Sequence, residues 1–127
     1  MPTVTARINE QNYKTVISTE TNTLIADEPK ALGGEDLGFT PYELLASALA
    51  SCTAITLRMY AERKNWNTGE IDVQVSLSDE RNPTIFTRII TFQNPLDEAQ
   101  HTRLVAVANA CPTHKILQGT IQINTEA

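Results

Sequence analysis

Basic residues are few and scattered. Ten Lys and Arg stand against fifteen Asp and Glu, a formal net charge of −5. No basic cluster forms, which argues against a nucleic-acid or anionic-membrane binder. Cysteine is equally sparse, with two in the chain. The amino terminus, MPTVTARINEQ, has no apolar core of a secretory leader, so a cytoplasmic protein is expected. Two cysteines in such a chain suggest thiol chemistry or plain burial, not a disulfide framework. Repeats, low-complexity tracts and linkers are absent, and 127 residues suit a single domain spanning 1–127. The longest uncharged run, Leu44 to Leu57, is too short and too rich in Ser and Thr for a membrane span.

That run dominates the chain. It lies in TPYELLASALASCTAITLRMYAERK, Thr40 to Lys64. Thr40, Pro41 and Glu43 read as a capping box with Pro at the first helical position. Cys52 sits at the centre, with Leu45, Ala48, Leu49, Ile55, Thr56 and Met59 near it at helical spacing. Charge returns at Arg58, Glu62, Arg63 and Lys64. One small subunit can hardly cover such a helix on all sides, so an obligate homodimer is expected.

Around the helix the pattern is mostly strand. Val4, Ala6 and Ile8 alternate with polar residues, as do Tyr13 to Ser18, and Thr23 to Ala26 is short and β-prone. These predict an antiparallel meander over residues 3–26. Residues 27–39, DEPKALGGEDLGF, hold three of the five glycines and four acids. They read as a loop delivering the chain to the helix cap, because no Lys-Ser/Thr follows and the acids disfavour phosphate. After the helix, 70–79 and 85–93 predict a hairpin. Asp97 and Gln100 form a second capping box. Leu104, Val107, Ala108 and Cys111 continue that helix on one face, and Pro112 limits it. A turn is expected at 113–117 and a last strand at Thr120–Asn124. The order β-β-β-α-β-β-α-β indicates an α+β fold. Two helices, each with one cysteine on its apolar side, can bring those cysteines together.

Free cysteines are often buried core residues; a reactive one needs access and a lowered pKa. Cys52 lies mid-helix, so its activation is expected from a nearby cation. Arg58 points about 120° away from it. Arg7 and Lys30, outside the helix, are therefore the first candidates, with His114 and Lys115 close to Cys111. Glu43 lies about 180° round the helix from Cys52 and Tyr42 about 80°, so Tyr42 is the better local partner. Cys111-Pro112-Thr113-His114 has Cys-x-x-His spacing, and Cys52 and His101 would complete four zinc ligands. No second tight ligand pair exists, so redox chemistry is favoured, with no metal and no cofactor.

The pieces GGEDLGFTPYELLASALASCT, RMYAERKNW and ANACPTHKIL, in that order and spacing, resemble the OsmC/Ohr family, over most of the chain from about Asp27 onward. The resemblance implies an intertwined homodimer and a thiol peroxidase that reduces organic hydroperoxides. By position Cys52 would be the peroxidatic cysteine and Cys111 the resolving one, reset by a dithiol or a lipoylated protein. Leu45, Leu49, Ile55 and Met59 would line the site for a hydrocarbon tail. The well-studied branches have a glutamate directly after the helix-start proline and an arginine upstream. This chain has Tyr42 there, its acid one place later at Glu43, and Lys30 and Leu32 but no arginine in the loop. It resembles a divergent small branch. The alternative is a non-enzymatic dimer of the same fold that binds a small apolar ligand in a buried pocket.

Overall fold

The computed structural model describes residues 1–127. They form two compact units, Met1–Leu45 and Ala46–Ala127. The first is a three-stranded antiparallel meander in the order β1 (Thr5–Ile8), β2 (Thr15–Ser18), β3 (Thr23–Ala26). Its register pairs Thr5 with Ser18 and Thr15 with Ala26. The turn between β2 and β3 is held by Thr19, whose hydroxyl accepts from the backbone N–H groups of Thr21 and Asn22.

The loop after β3 winds around one buried side chain. The Asp27 carboxylate is 2% exposed. It accepts backbone N–H bonds from Tyr13 at 3.3 Å, Glu28 at 2.8 Å, Glu35 at 3.3 Å and Leu37 at 3.1 Å. Burial alone pushes this carboxyl up; the four N–H donors outweigh it and hold the group below its ordinary value of 3.8. The glycines make this winding possible. A Cβ on Gly34 would run into the Glu28 carbonyl, and one on Gly38 into the Ile25 carbonyl. The acidic glycine loop is thus a wrapped turn, ending at the helix cap. There Thr40 N–H donates to Glu43 Oε1 at 2.8 Å and Glu43 N–H to Thr40 Oγ1 at 3.1 Å, the reciprocal box read from the sequence.

Helix α1 (Pro41–Arg63) opens in the first unit and runs on through the second. Leu49, Thr53, Leu57 and Ala61 form its buried stripe at four-residue spacing. By length and composition alone it could cross a membrane. Its stripe instead belongs to a core: Leu57 clusters with Leu104 and Ala108, and Tyr60, Trp66, Ile71, Ile90 and Phe92 pack on them. Arg58 turns away from Cys52, donating to Thr68 Oγ1 at 3.2 Å and to the Gly69 carbonyl at 2.6 Å. Gly69, at φ 65°, makes the turn into the hairpin.

Strands β4 (Ile71–Leu77) and β5 (Phe86–Phe92) pair antiparallel, Ile71 with Phe92 and Leu77 with Phe86. Their alternation puts Ile71, Val73, Val75 and Leu77 on the half-buried face, opposite Phe86, Arg88, Ile90 and Phe92. Helix α2 (Glu98–Ala108) starts with the Asp97–Gln100 capping box. The expected turn at 113–117 is a helix, α3 (Pro112–Gln118). Pro112, which halts α2 by its missing N–H, suits the first position of the next helix for the same reason.

The α+β class is as expected; the final strand is not. Thr120–Asn124 forms no strand, and Ile121 and Ile123 are 58% and 85% exposed. A strand exists only by pairing, and this segment finds no ladder within its own chain.

Candidate active site

Two thiols meet in the second unit. Cys52 lies on α1 and is partly buried; Cys111 is fully buried. Cys111 sits between α2 and α3, where it takes an extended conformation at φ −65°, ψ 149° as the N-cap of α3. Its backbone N–H bonds the Ala108 carbonyl at 3.2 Å, which carries the chain from the end of one helix to the start of the next.

The Cys52 sulfur is ringed by hydrogen-bonding groups. Burial raises its pKa. Against this act the Thr113 hydroxyl, the Thr113 backbone N–H, the Cys111 thiol and the Thr56 hydroxyl, and together they hold the thiol below its ordinary value of 9.0. Thr56 lies one helical turn on, with Oγ1 4.0 Å from the sulfur. The expected cation is not among these groups. Neutral donors from α1, from Cys111 and from the first turn of α3 favour the thiolate, because each bonds the charged form more strongly than the neutral one.

Arg88 is linked to the other thiol through Thr53. It sits on the apolar face of β5, in phase with Phe86, Ile90 and Phe92. Its guanidinium donates to Thr53 Oγ1 at 3.0 Å and to Asn109 Oδ1 at 2.8 Å, and meets His114 Nδ1 at 3.1 Å. Arginine only donates, so Nδ1 of His114 accepts and the ring proton is assigned to Nε2. One side chain thereby ties α1, the end of α2 and α3 together. None of its three partners is a carboxylate. Thr53 is fully buried; its Oγ1 donates to the Leu49 carbonyl at 2.7 Å and lies 3.8 Å from Cys111 Sγ.

Beside this network lies a cleft of about 210 Å³, walled by Leu49, Phe86 and Leu117 and edged by Arg88 and His114. Of the four residues expected to line an apolar site, Leu49 does so. Leu45, Ile55 and Met59 are 43%, 55% and 60% exposed in the single chain.

The remaining sequence candidates divide between the two units. Arg7 is on β1, Lys30 in the short 3-10 turn Lys30–Leu32, and Tyr42 and Glu43 in the first turn of α1, all within the amino-terminal unit. Glu43 is engaged in the helix cap. His114 does join the thiol network, through Arg88. His101 packs edge-on against Phe92, ring centres 6.3 Å apart. No group of three metal-ligating side chains comes together. Thr53, Thr113, Arg88 and Asn109 were not anticipated. Arg88 had a readable signal: a charged residue in step with three large apolar ones on a half-buried strand.

A meander, a long central helix and a hairpin backed by two helices, with one cysteine on the central helix and one where the last two helices meet, define a small α+β protein of OsmC type. Residues 33–126 match the family model described as OsmC-like protein, and the chain belongs to that family. A hydroperoxide reductase of Mycoplasma pneumoniae is 29% identical over 128 residues, covering 94% of this chain and 89% of that protein. Among solved structures, an OsmC-like protein of Mycoplasma pneumoniae superimposes with a TM-score of 0.72 at 25% identity, covering 92% of this chain and 86% of the other. The organic hydroperoxide resistance protein OhrB of Bacillus subtilis gives 0.64 at 26% identity, covering 92% and 90%.

Proposed function

We propose that this protein is a cysteine-based peroxidase that reduces organic hydroperoxides through a Cys52/Cys111 thiol-disulfide cycle. The observation that carries this reading is the Cys52 sulfur, partly accessible, with its pKa lowered by donors that include the second thiol. The relatives named for hydroperoxide reduction and resistance support the substrate class.

The cycle balances as follows. The Cys52 thiolate attacks the terminal oxygen of the hydroperoxide; the O–O bond breaks, and the alkoxide leaves as an alcohol after taking a proton. Cys52 is now a sulfenic acid. Cys111 attacks its sulfur, an S–S bond forms, and water departs. A dithiol, free or protein-bound lipoate in kind, reduces the disulfide by exchange and is itself oxidised. The well-studied branches carry an arginine upstream that this chain's loop lacks; Arg88 is a cation hydrogen-bonded into this network. The cleft of about 210 Å³ is smaller than the ~300–1,000 Å³ of a typical drug-sized pocket, which favours a short hydrocarbon tail.

The working form is a cytoplasmic, intertwined homodimer, each chain acting as one domain. Two facts support this. The family match runs across the boundary between the two units. And α1 leaves Ile55 and Met59 exposed, an apolar face that a second copy would cover.

The test is mass spectrometry of protein treated with cumene hydroperoxide, alongside peroxide consumption with a dithiol present. Wild type yields the intramolecular disulfide. Cys52→Ser abolishes consumption. Cys111→Ser still consumes a first equivalent, but Cys52 then climbs to sulfinic acid. If both wild-type thiols stay reduced under excess hydroperoxide, the reading is wrong, and the chain is a binding module with an inert core cysteine.

A further inference from the structure

Thr53 is the next residue after Cys52, and it is fully buried against the other thiol. Its hydroxyl has one proton and two acceptor directions. The proton goes to the Leu49 carbonyl at 2.7 Å, since a carbonyl only accepts. One acceptor direction takes the Arg88 N–H at 3.0 Å. What remains toward Cys111, 3.8 Å away, is an acceptor. The bridging proton there is therefore the Cys111 S–H.

That proton has a second acceptor in the Cys52 sulfur, whose pKa the Cys111 thiol helps to lower. One proton serves two acceptors, and their strengths change during the cycle. A Cys52 thiolate is charged and is the stronger of the two. Oxidation to sulfenic acid removes that charge, while Thr53 Oγ1, clamped by Arg88 and Leu49, is unchanged.

The geometry points to Thr53, held by Arg88, as a positioning residue for disulfide formation. Once Cys52 is oxidised, it draws the Cys111 S–H onto Oγ1 and leaves a Cys111 lone pair facing the Cys52 sulfur. This rests on the thiol-disulfide cycle above. In the step itself the Cys111 sulfur bonds the Cys52 sulfur, the S–O bond breaks, and the hydroxyl leaves with the Cys111 proton as water. The hydroperoxide already consumed is the only oxidant.

The experiment separates the two oxidations. Wild type, Thr53→Val, Thr53→Ser and Arg88→Gln are each mixed with one equivalent of cumene hydroperoxide and quenched over time. Sulfenic acid is trapped with dimedone, and disulfide and sulfinic acid are read by mass. In Thr53→Val the disulfide step slows about tenfold, the effect of one ordinary hydrogen bond, and sulfenic acid stays open to dimedone for correspondingly longer. Thr53→Ser restores the hydroxyl and recovers the rate to within about threefold of wild type. A purely packing role predicts the reverse, because Val keeps the shape of Thr and Ser does not. Disulfide formation in Thr53→Val at the wild-type rate, or Thr53→Ser as slow as Val, overturns the assignment. Should Thr53→Val not fold, Arg88→Gln decides, with the two steps timed separately: a disulfide step slowed more than the first oxidation supports the role, and one slowed no more than the first oxidation refutes it. A wild type that forms neither sulfenic acid nor disulfide sinks the peroxidase reading itself, a different result from any of these.

Discussion

Leu104→Ala tests the link between the core and the thiols. Leu104 is fully buried on α2 and clusters with Leu57 of α1 and with Ala108, three residues before Cys111. The substitution removes three carbons. At ~0.8 kcal/mol for each buried methylene the lost transfer energy is about 2.4 kcal/mol. The side chains around the hole, Leu57 of α1 and Ile90 and Phe92 of β5 among them, are anchored on elements of their own and relax only in part. The cavity therefore raises the total to about 4 kcal/mol, inside the range for buried Leu→Ala changes. Unfolding entropy near the midpoint is ~2.1 cal/mol/K per residue, about 0.27 kcal/mol/K for this chain. The midpoint should then fall by about 15 °C. Thermal unfolding followed by circular dichroism measures this, at one fixed protein concentration so that any self-association weighs equally on both proteins. A drop below about 5 °C would show that α1 and α2 are not joined as described.

Thr113→Val removes the hydroxyl that bonds the Cys52 sulfur and keeps the backbone N–H bond, so the thiolate is less favoured. The pH midpoint of Cys52 alkylation, measured in a Cys111→Ser background, should move upward; no movement would discard Thr113 as an activating group. Asp27 is held below its ordinary carboxyl value of 3.8 in the folded chain. Its stabilising effect is complete above that value and is lost as pH falls through the lower folded one. Asp27→Asn should therefore flatten the acid limb of the stability curve, measured by urea unfolding between neutral and acidic pH; an unchanged limb would show that the carboxylate contributes nothing through its N–H bonds. Sedimentation velocity at micromolar concentration should show dimer, and a folded soluble monomer would remove the argument from the exposed Ile55 and Met59 face.

Much of the fold was legible because it is decided locally. The Thr40–Glu43 and Asp97–Gln100 boxes announce both helix starts, and each forms the reciprocal bonds expected of it. Period-2 alternation located both strands of the hairpin. Thr120–Asn124 carries the same alternation and fails, since a strand needs a neighbour and sequence pattern cannot supply one. Pro112 reads from the sequence as a stop, although proline is equally suited to opening a helix, and this hides Thr113. For the group that activates Cys52 the sequence points to a cation or to the Tyr42 hydroxyl. The structure uses hydroxyls and a backbone amide, residue types too common to stand out in a sequence. Asp27 was one acid among four in a loop until its four N–H partners set it apart.

Cys52 and Thr53 are consecutive on one helix, about 100° apart round its axis. The first meets Thr113 at the start of α3; the second meets Arg88 and Cys111. Both sulfurs are thus set by the phase of α1, and that phase is held by its buried stripe, with Leu57 in the core. One residue inserted or deleted between Thr53 and Leu57 would leave the segment helical. It would swing both side chains by that same ~100° and take each from its partners at once. The count of residues from Thr53 to Leu57 is therefore fixed in this protein, tolerant of changes in residue type along it and intolerant of a change in their number.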